Sequence, residues 1–139
     1  MNSIDNIDRS KSIQDLEGAW PEPSVASTKL VETIYKLRKR PIGELDSYDI
    51  ARLILQDVGL RWLMPIAVKT LRDTIPKSTD ENWWYDDELL HAVITRDNSY
   101  WSQAPELARY MKATIGMLPE ISDYLRDDIE RFNMNISSD

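Results

Sequence analysis

Residues 46–72, DSYDIARLILQDVGLRWLMPIAVKTLR, decide the fold class of this 139-residue chain. Their apolar side chains recur at steps of three and four residues, which is the spacing of one face of an α-helix rather than the alternation of a strand. The apolar positions are Ile50, Leu53, Ile54 and Val58, followed by Leu60, Leu63, Met64, Ala67, Val68 and Leu71. This stretch therefore predicts two consecutive amphipathic helices.

The ends of these two helices are marked by residues with known terminal preferences. Asp46 or Ser47 can cap the first helix, and Gly59 can end it in a left-handed conformation. Proline is tolerated near the first turn of a helix but not in its interior. Because of Pro65, we expect the second helix to begin close to Arg61 or Trp62.

Similar periodicity extends to both sides of this stretch. Further helices are predicted over about residues 25–39, 85–95, 105–117 and 119–132, and the apolar face of the first consists of Leu30, Val31, Ile34 and Leu37. The sequence thus predicts an all-α protein, a single compact domain of about six short helices. We expect a loosely ordered N-terminal segment at 1–15, the helical domain at 16–132 and a frayed tail at 133–139.

Composition limits the possible functions. The chain has 24 acidic and 17 basic residues, a formal charge of −7, which argues against nucleic-acid binding and favours a basic protein partner. It has no cysteine, so disulfides, thiol catalysis and cysteine-bound zinc are excluded. The polar N-terminus lacks the apolar core of a secretory signal, and no apolar run is long enough to span a membrane. We therefore expect a cytoplasmic protein.

Residues suited to catalysis are sparse. His91 follows Glu88 by three residues, as in di-metal helical bundles, but those bundles use the motif twice and this chain has one histidine. The adjacent acids Asp127 and Asp128 point about 100° apart on a helix, so they do not converge on one reacting atom. No nucleophile elbow or phosphate-binding glycine loop is present. We expect no enzyme activity, no metal and no cofactor.

One acidic and aromatic stretch lies at a predicted loop-to-helix boundary. Acids in a first helical turn are stabilised by the helix dipole, but three consecutive rings cannot all face the core, so at least one should be exposed. Exposed Trp and Tyr with an acidic rim are typical of a surface that binds a basic partner. The candidate binding residues are Asp80, Glu81, Trp83, Trp84, Tyr85, Asp86, Asp87 and Glu88.

Two further charged patches can be explained by the helix dipole and by solvation, without a binding role. Lys36, Arg38, Lys39 and Arg40 fall at the end of the first long helix, where cations oppose the negative end of the helix dipole. The last predicted helix is acidic, and its outer face can simply be solvated. Its acids Asp123, Asp127 and Asp128 form a secondary candidate surface for a basic partner.

Several short segments follow one another in a specific order and spacing. They are Leu16–Gly18, Trp20–Pro23, Leu37–Lys39, Pro41–Ile42, Leu45, Asp49–Ile54, Gln56, Val58–Leu60, Leu63–Pro65, Tyr85, Leu89–Leu90 and Tyr100–Trp101. This order resembles a family of immunity proteins from bacterial contact-dependent growth inhibition (CDI) systems, and the resemblance covers about residues 13–110. Before the two leucines, where the family has glycine and aspartate, this chain carries Asp87 and Glu88.

The resemblance implies a cytosolic protein that binds the toxic C-terminal domain of an effector delivered by a neighbouring cell. Such domains are commonly nucleases with basic clefts, so the implied partner is a basic nuclease toxin, bound one to one and inhibited by occlusion of its active site. The family pattern supplies no catalytic residues. The alternative from the residues alone is an acidic helical adaptor or assembly subunit without a toxin target.

Overall fold

The computed structural model describes residues 7–73, 87–118 and 123–136. Eight α-helices follow one another: α1 Ile13–Glu17, α2 Lys29–Arg38, α3 Ser47–Leu55, α4 Leu60–Asp73, α5 Asp87–Ile94, α6 Asn98–Gln103, α7 Pro105–Gly116 and α8 Asp123–Ile136. A short 3-10 helix, Ile42–Glu44, joins α2 to α3, and the described residues contain no strand. The all-α prediction is confirmed, with six helices of seven residues or more.

The core is built around α3, α4 and α5, which pack against one another. Helix α7 covers α4, α8 covers both α5 and α7, and α2 packs against α3. Fully buried side chains come from all three central helices, including Leu53, Leu63, Leu71, Leu89 and Val93. None of the described helices has the length and apolar character that crossing a lipid bilayer requires.

The junction between α3 and α4 differs slightly from its prediction. Asp46 caps α3 as expected, and it forms a capping box in which its carboxylate accepts from the Asp49 N–H at 2.8 Å. Gly59 is left-handed (φ 66°), but it lies directly before α4, while Asp57 (φ 58°) is the left-handed residue that follows α3. A Cβ on Gly59 would lie 2.8 Å from Ile13 Cδ1, so close packing also requires glycine there.

Helix α4 begins one or two residues earlier than predicted. Its first turn is closed by N–H groups of Trp62 and Leu63, which donate to the Gly59 carbonyl at 3.0 and 2.8 Å. Pro65 is therefore the sixth helical residue and is buried. Its missing N–H affects only the carbonyl of Arg61 at the exposed end of the helix, where water can replace the lost donor.

Helix α2 projects beyond the core, so the prediction for its apolar face is half wrong. The helix starts at Lys29 rather than near residue 25, because Thr28 caps it through the Val31 N–H at 3.2 Å. Ile34 is buried, as is Leu37 in the following turn. Leu30 and Val31, by contrast, are 43% and 48% exposed, so the first turn of the helix is not buried by its neighbours.

Arg38 is buried, which is not what dipole capping of an exposed basic run predicts. Its side chain is 1% exposed, and Nη2 donates to the Gly18 carbonyl at 2.9 Å and to Glu17 Oε1 at 3.3 Å. The guanidinium carbon lies 3.9 Å from the centroid of the Trp20 ring. Nε and Nη1 have no hydrogen-bond partner. Arg38 therefore ties the segment after α1 to the last turn of α2.

The N-terminal segment is held more firmly than predicted. Residues 9–11 pair with the 3-10 helix, since the Ile42 N–H donates to the Lys11 carbonyl at 2.9 Å and the Gly43 N–H to the Arg9 carbonyl at 2.8 Å. Ser12 forms a capping box at the start of α1, and Ile13 is completely buried. This part of the predicted loose segment thus belongs to the domain.

The last helix is shifted towards the C-terminus relative to its prediction. It runs from Asp123 to Ile136, four residues past the predicted end at Phe132, and both Phe132 and Ile136 are buried. Residues 133–136 of the predicted frayed tail are therefore helical, while residues 1–6 and 137–139 lie outside the described residues. Helix α8 is therefore longer at its C-terminal end than the sequence predicts.

Candidate functional site

Most of the acidic and aromatic stretch lies outside the described residues, including the candidates Asp80, Glu81, Trp83, Trp84, Tyr85 and Asp86. Asp87 begins α5, and Glu88 follows it with an exposed side chain. The expectation that one of the rings faces outward therefore stays a prediction.

Helix α5 separates its polar and apolar residues cleanly. Leu89, Leu90 and Val93 are buried against α3 and α4, whereas Glu88 is exposed and His91 is 42% exposed. Glu88 and His91 are three residues apart and so lie on the same side of the helix. This polar side of α5 forms one edge of the surface described below.

His91 contacts α8 rather than its own helix. Its Nδ1 lies 3.3 Å from Asp128 Oδ2, within ion-pair distance, although Nδ1 has no partner in hydrogen-bond geometry. The pair therefore attracts electrostatically when the imidazole is protonated and does not form an aligned hydrogen bond. Nearer the other end of both helices, Ile94 lines a small cavity together with Asn135. Helices α5 and α8 thus run in the same direction, with their N-termini at the same end of the domain.

The outward side of α8 carries a stripe of acids. Asp123, Asp127 and Glu130 recur at steps of four and three residues, so they share one face, and all three are exposed. Asp123 pairs with Arg126 at 3.0 Å. No ion pair joins Asp127 or Glu130 to another described residue. These two carboxylates are free to meet a partner.

Helices α5 and α8 pack against each other and carry five acids, which we call the acidic surface: Glu88 on α5, and Asp123, Asp127, Asp128 and Glu130 on α8. The contact between His91 and Asp128 joins its two halves. Two arginines lie within it: Arg126, and Arg131, which donates to Asp128 Oδ1 at 3.2 Å. Tyr124 adds a 65% exposed ring. The structure thus places Glu88 and the three secondary candidates on two helices that pack against each other.

Several bases of the chain are engaged with aromatic rings, which limits the positive surface they present. Arginine or lysine groups lie 3.7 to 5.7 Å from ring centroids in five pairs: Arg38 with Trp20, Lys39 with Tyr35, Arg52 with Tyr48, Arg61 with Trp62 and Arg72 with Tyr110. Arg96 is 11% exposed and paired with Asp57 at 2.7 Å.

The arrangement does not resemble a catalytic or metal centre. No group of three or more potential ligands capable of holding a metal ion occurs within residues 7–73, 87–118 and 123–136. Glu88 and His91 share a helix side, but the side chain that meets the imidazole comes from Asp128. What this surface can do chemically is attract and orient a cationic partner.

Glu130 of the acidic surface and the neighbouring Tyr124 were missing from the sequence-based candidates. Glu130 continues the spacing of Asp123 and Asp127 by one further turn, so helical periodicity could have identified it. Tyr124 has no such signal, because an aromatic residue beside a core position is equally compatible with burial. The pairing of His91 with Asp128 joins residues 37 positions apart and depends on tertiary packing.

Comparison with known proteins places the chain in a family. A family model described as CDI immunity proteins matches residues 15–111, which is 97 of the 139 residues. No curated protein and no solved structure matches the chain significantly. The matched range runs from α1 to the middle of α7 and ends before α8. The chain belongs to the CDI immunity proteins, a family whose members neutralise toxins.

Proposed function

We propose that this immunity protein neutralises a basic nuclease toxin domain by binding it one to one and covering its active site with the acidic surface of α5 and α8. The observation that carries the proposal is the packing of α5 against α8, with His91 Nδ1 3.3 Å from Asp128 Oδ2, which places Glu88 and the acids of α8 on adjacent helices. A nuclease cleft is basic because it holds a polyanion. An acidic surface of this kind competes for the same positive charges. The binding takes place in the cytoplasm.

The position of α8 relative to the family match supports a role in specificity. The match ends at residue 111, so α8 lies in the part of the chain that the family model does not describe. The shared part contains the core helices α3, α4 and α5. A common scaffold with an individual acidic helix suits a family in which each member must recognise its own toxin.

The acidic and aromatic stretch belongs to the same proposal. It directly precedes α5, whose N-terminus lies at the same end of the domain as that of α8. We propose that Trp83 and Trp84 supply aromatic anchors beside the charged surface, because Trp dominates the binding energy of many interfaces. Replacing both with alanine should weaken the complex chiefly through faster dissociation, while the charges mainly determine the association rate.

The first experiment measures binding to a catalytically inactive form of the cognate toxin domain. Asp127→Lys and Glu130→Lys should each slow association by about twofold to tenfold at low salt, since single exposed charge pairs are worth about 0.2–1 kcal/mol and reversal replaces attraction by repulsion. The effect should shrink as salt rises, because charges are screened over about 10 Å at 0.1 M. Glu32→Lys is the matched control, because Glu32 is an exposed helical acid on α2, outside the acidic surface.

A second experiment addresses occlusion. A short oligonucleotide that occupies the toxin's cleft should compete with the immunity protein, so its apparent affinity should fall in proportion to the immunity protein added. Formation of a ternary complex would contradict active-site occlusion. Equal effects of Glu32→Lys and Asp127→Lys would contradict the assignment of the surface.

A further inference from the structure

An open groove of about 580 Å³ lies between the start of α4 and the junction of α6 and α7. Its walls combine apolar side chains, among them Leu60, Pro65 and Leu107, with the ring of Tyr100 and with the charged side chains of Arg61 and Glu106. Burial raises the pKa of Tyr100 to about 12, so its hydroxyl remains a proton donor at neutral pH. Grooves lined by tyrosine and proline suit extended proline-rich peptides, which lose little conformational freedom on binding.

A segment of the same chain has the matching chemistry. Residues 17–26 are exposed except for the partly buried Pro23, and residues 18–24 form no helix or strand. This arm contains Trp20-Pro21-Glu22-Pro23, and a turn closed by the Ser27 N–H at 3.0 Å from the Ser24 carbonyl then presents Val25 fully exposed. Trp20 covers Arg38 with one face yet remains 44% exposed. The arm therefore presents exposed apolar side chains, Trp20 and Val25, that an open groove with apolar walls can bind.

The arm and the first turn of α2 carry much of the exposed apolar surface. Of the nine large apolar side chains that are exposed among the described residues, four lie between residues 20 and 31: Trp20, Val25, Leu30 and Val31. Concentrations of this kind mark surfaces that another molecule covers. The arm does not fill its own chain's groove, because all residues that line the groove come from positions 60–107.

Charge determines how the arm lies in the groove. Arg61 and Glu106 both lie in the groove wall, and neither forms an ion pair with any residue of the described ranges, so the acid of the arm has to face Arg61 and not Glu106. The arm carries Glu22, which is exposed and equally without an ion pair there. We propose that the Trp20–Val25 arm of one copy of this chain docks in the groove of a second copy, with Glu22 meeting Arg61. This self-association is a property beyond toxin binding, and it uses surfaces separate from the acidic surface.

The arm and the groove are two different surfaces. A closed dimer therefore forms only if the contact is made twice, once in each direction. Two copies can exchange arms reciprocally in a twofold dimer, in which each groove receives the partner's arm. Without such closure the same contact extends into an open chain. Either arrangement makes self-association depend on concentration and on both charges.

The test is sedimentation of the full chain without toxin over a range of concentrations. The wild-type protein should self-associate, and Glu22→Arg or Arg61→Glu should each weaken association by about tenfold by turning attraction into repulsion. An equimolar mixture of the two single variants should regain wild-type association, because in a mixed pair one contact joins the reversed arm to the reversed groove and the other keeps the wild-type charges. Glu44→Arg, a reversal of an exposed acid on the 3-10 helix outside both the arm and the groove, should leave association unchanged.

A labelled peptide of residues 18–26 provides a second readout that does not depend on dimer geometry. It should bind the wild-type chain and bind Arg61→Glu at least about tenfold more weakly. A wild-type chain that stays monomeric at every concentration and does not bind the peptide overturns the proposal. The proposal is also overturned if the chain stays monomeric and Arg61→Glu weakens toxin binding, because the groove then receives a segment of the toxin. Because the main test contains no toxin, its failure leaves the function of the acidic surface untouched.

Discussion

Because the guanidinium of Arg38 is buried, substitutions of Arg38 and of its partner Glu17 should change the free energy of unfolding in an unusual order. Its charge is 1% exposed, and its carboxylate partner Glu17 is 33% exposed at 3.3 Å. Breaking a fully buried pair by removing one partner costs about 3–5 kcal/mol. Because Glu17 is a third exposed and water can partly replace it, we expect Glu17→Ala to cost about 1–2 kcal/mol of unfolding free energy.

Replacing Arg38 with a neutral residue should lower the free energy of unfolding by less than the contacts of its side chain suggest. Arg38→Met loses the hydrogen bond to the Gly18 carbonyl and the stacking on Trp20, each worth about 1 kcal/mol. It also removes two buried N–H groups, Nε and Nη1, that lack partners, at about 1–3 kcal/mol of penalty each. Since methionine fills a similar volume, the net change should lie within about 1.5 kcal/mol of zero.

Urea denaturation followed by tryptophan fluorescence measures both effects, and the double variant provides the decisive comparison. In the Arg38→Met background, Glu17→Ala should have almost no effect, so the coupling energy should be about 1–2 kcal/mol. Arg38→Ala is the volume control and should be clearly worse than Arg38→Met because it adds a cavity. If Arg38→Met costs more than about 3 kcal/mol while Glu17→Ala costs nothing, the reasoning about the unpaired nitrogens is wrong.

Three further predictions concern the scaffold. Gly59→Ala should destabilise the protein by more than about 1 kcal/mol in urea denaturation, because of its positive φ and the close contact at its Cβ, whereas Gly116→Ala, which has open space, should not destabilise it. Hydrogen bonds from the Ser12 backbone and hydroxyl hold the pKa of Asp15 below its usual value. The stabilisation by this carboxylate is present above its unfolded pKa near 3.8 and is lost as pH falls through the lower folded pKa, so Asp15→Asn should flatten an acid-denaturation curve there. With a folded pKa of about 12, Tyr100 loses stabilisation as pH rises from about 10, and Tyr100→Phe should remove the last step of a phenolate absorbance titration.

Local rules predicted the helices whose ends are set by nearby residues. Asp46 caps α3 and Pro105 occupies the first position of α7, both as their sequence preferences indicate. The apolar face of α2 was predicted less well, since Leu30 and Val31 have core spacing but no neighbouring element reaches them. Periodicity identifies the side of a helix that can be buried, and tertiary contacts decide how much of it is buried.

The candidate site, too, could be predicted where local sequence is enough and not where tertiary contacts decide. Glu88, Asp123, Asp127 and Asp128 could be selected from charge and helical position. Their union into one surface depends on the parallel course of α5 and α8, which the sequence does not reveal. The burial of Arg38 was equally inaccessible, because a basic run after a helix is usually solvated and its partners come from 20 and 21 residues earlier.

Carboxylate footprinting of the complex with the inactive toxin domain tests the function of the acidic surface most directly. A reagent that amidates accessible carboxylates is applied to the free protein and to the complex, and each acid is quantified by mass spectrometry. We expect strong protection at Glu88, Asp127 and Glu130 in the complex, and none at Glu32 or at Glu44, which are exposed on other elements. Protection of Glu32 and Glu44 with unchanged labelling of Asp127 and Glu130 would contradict the assignment of the acidic surface as the toxin-binding site.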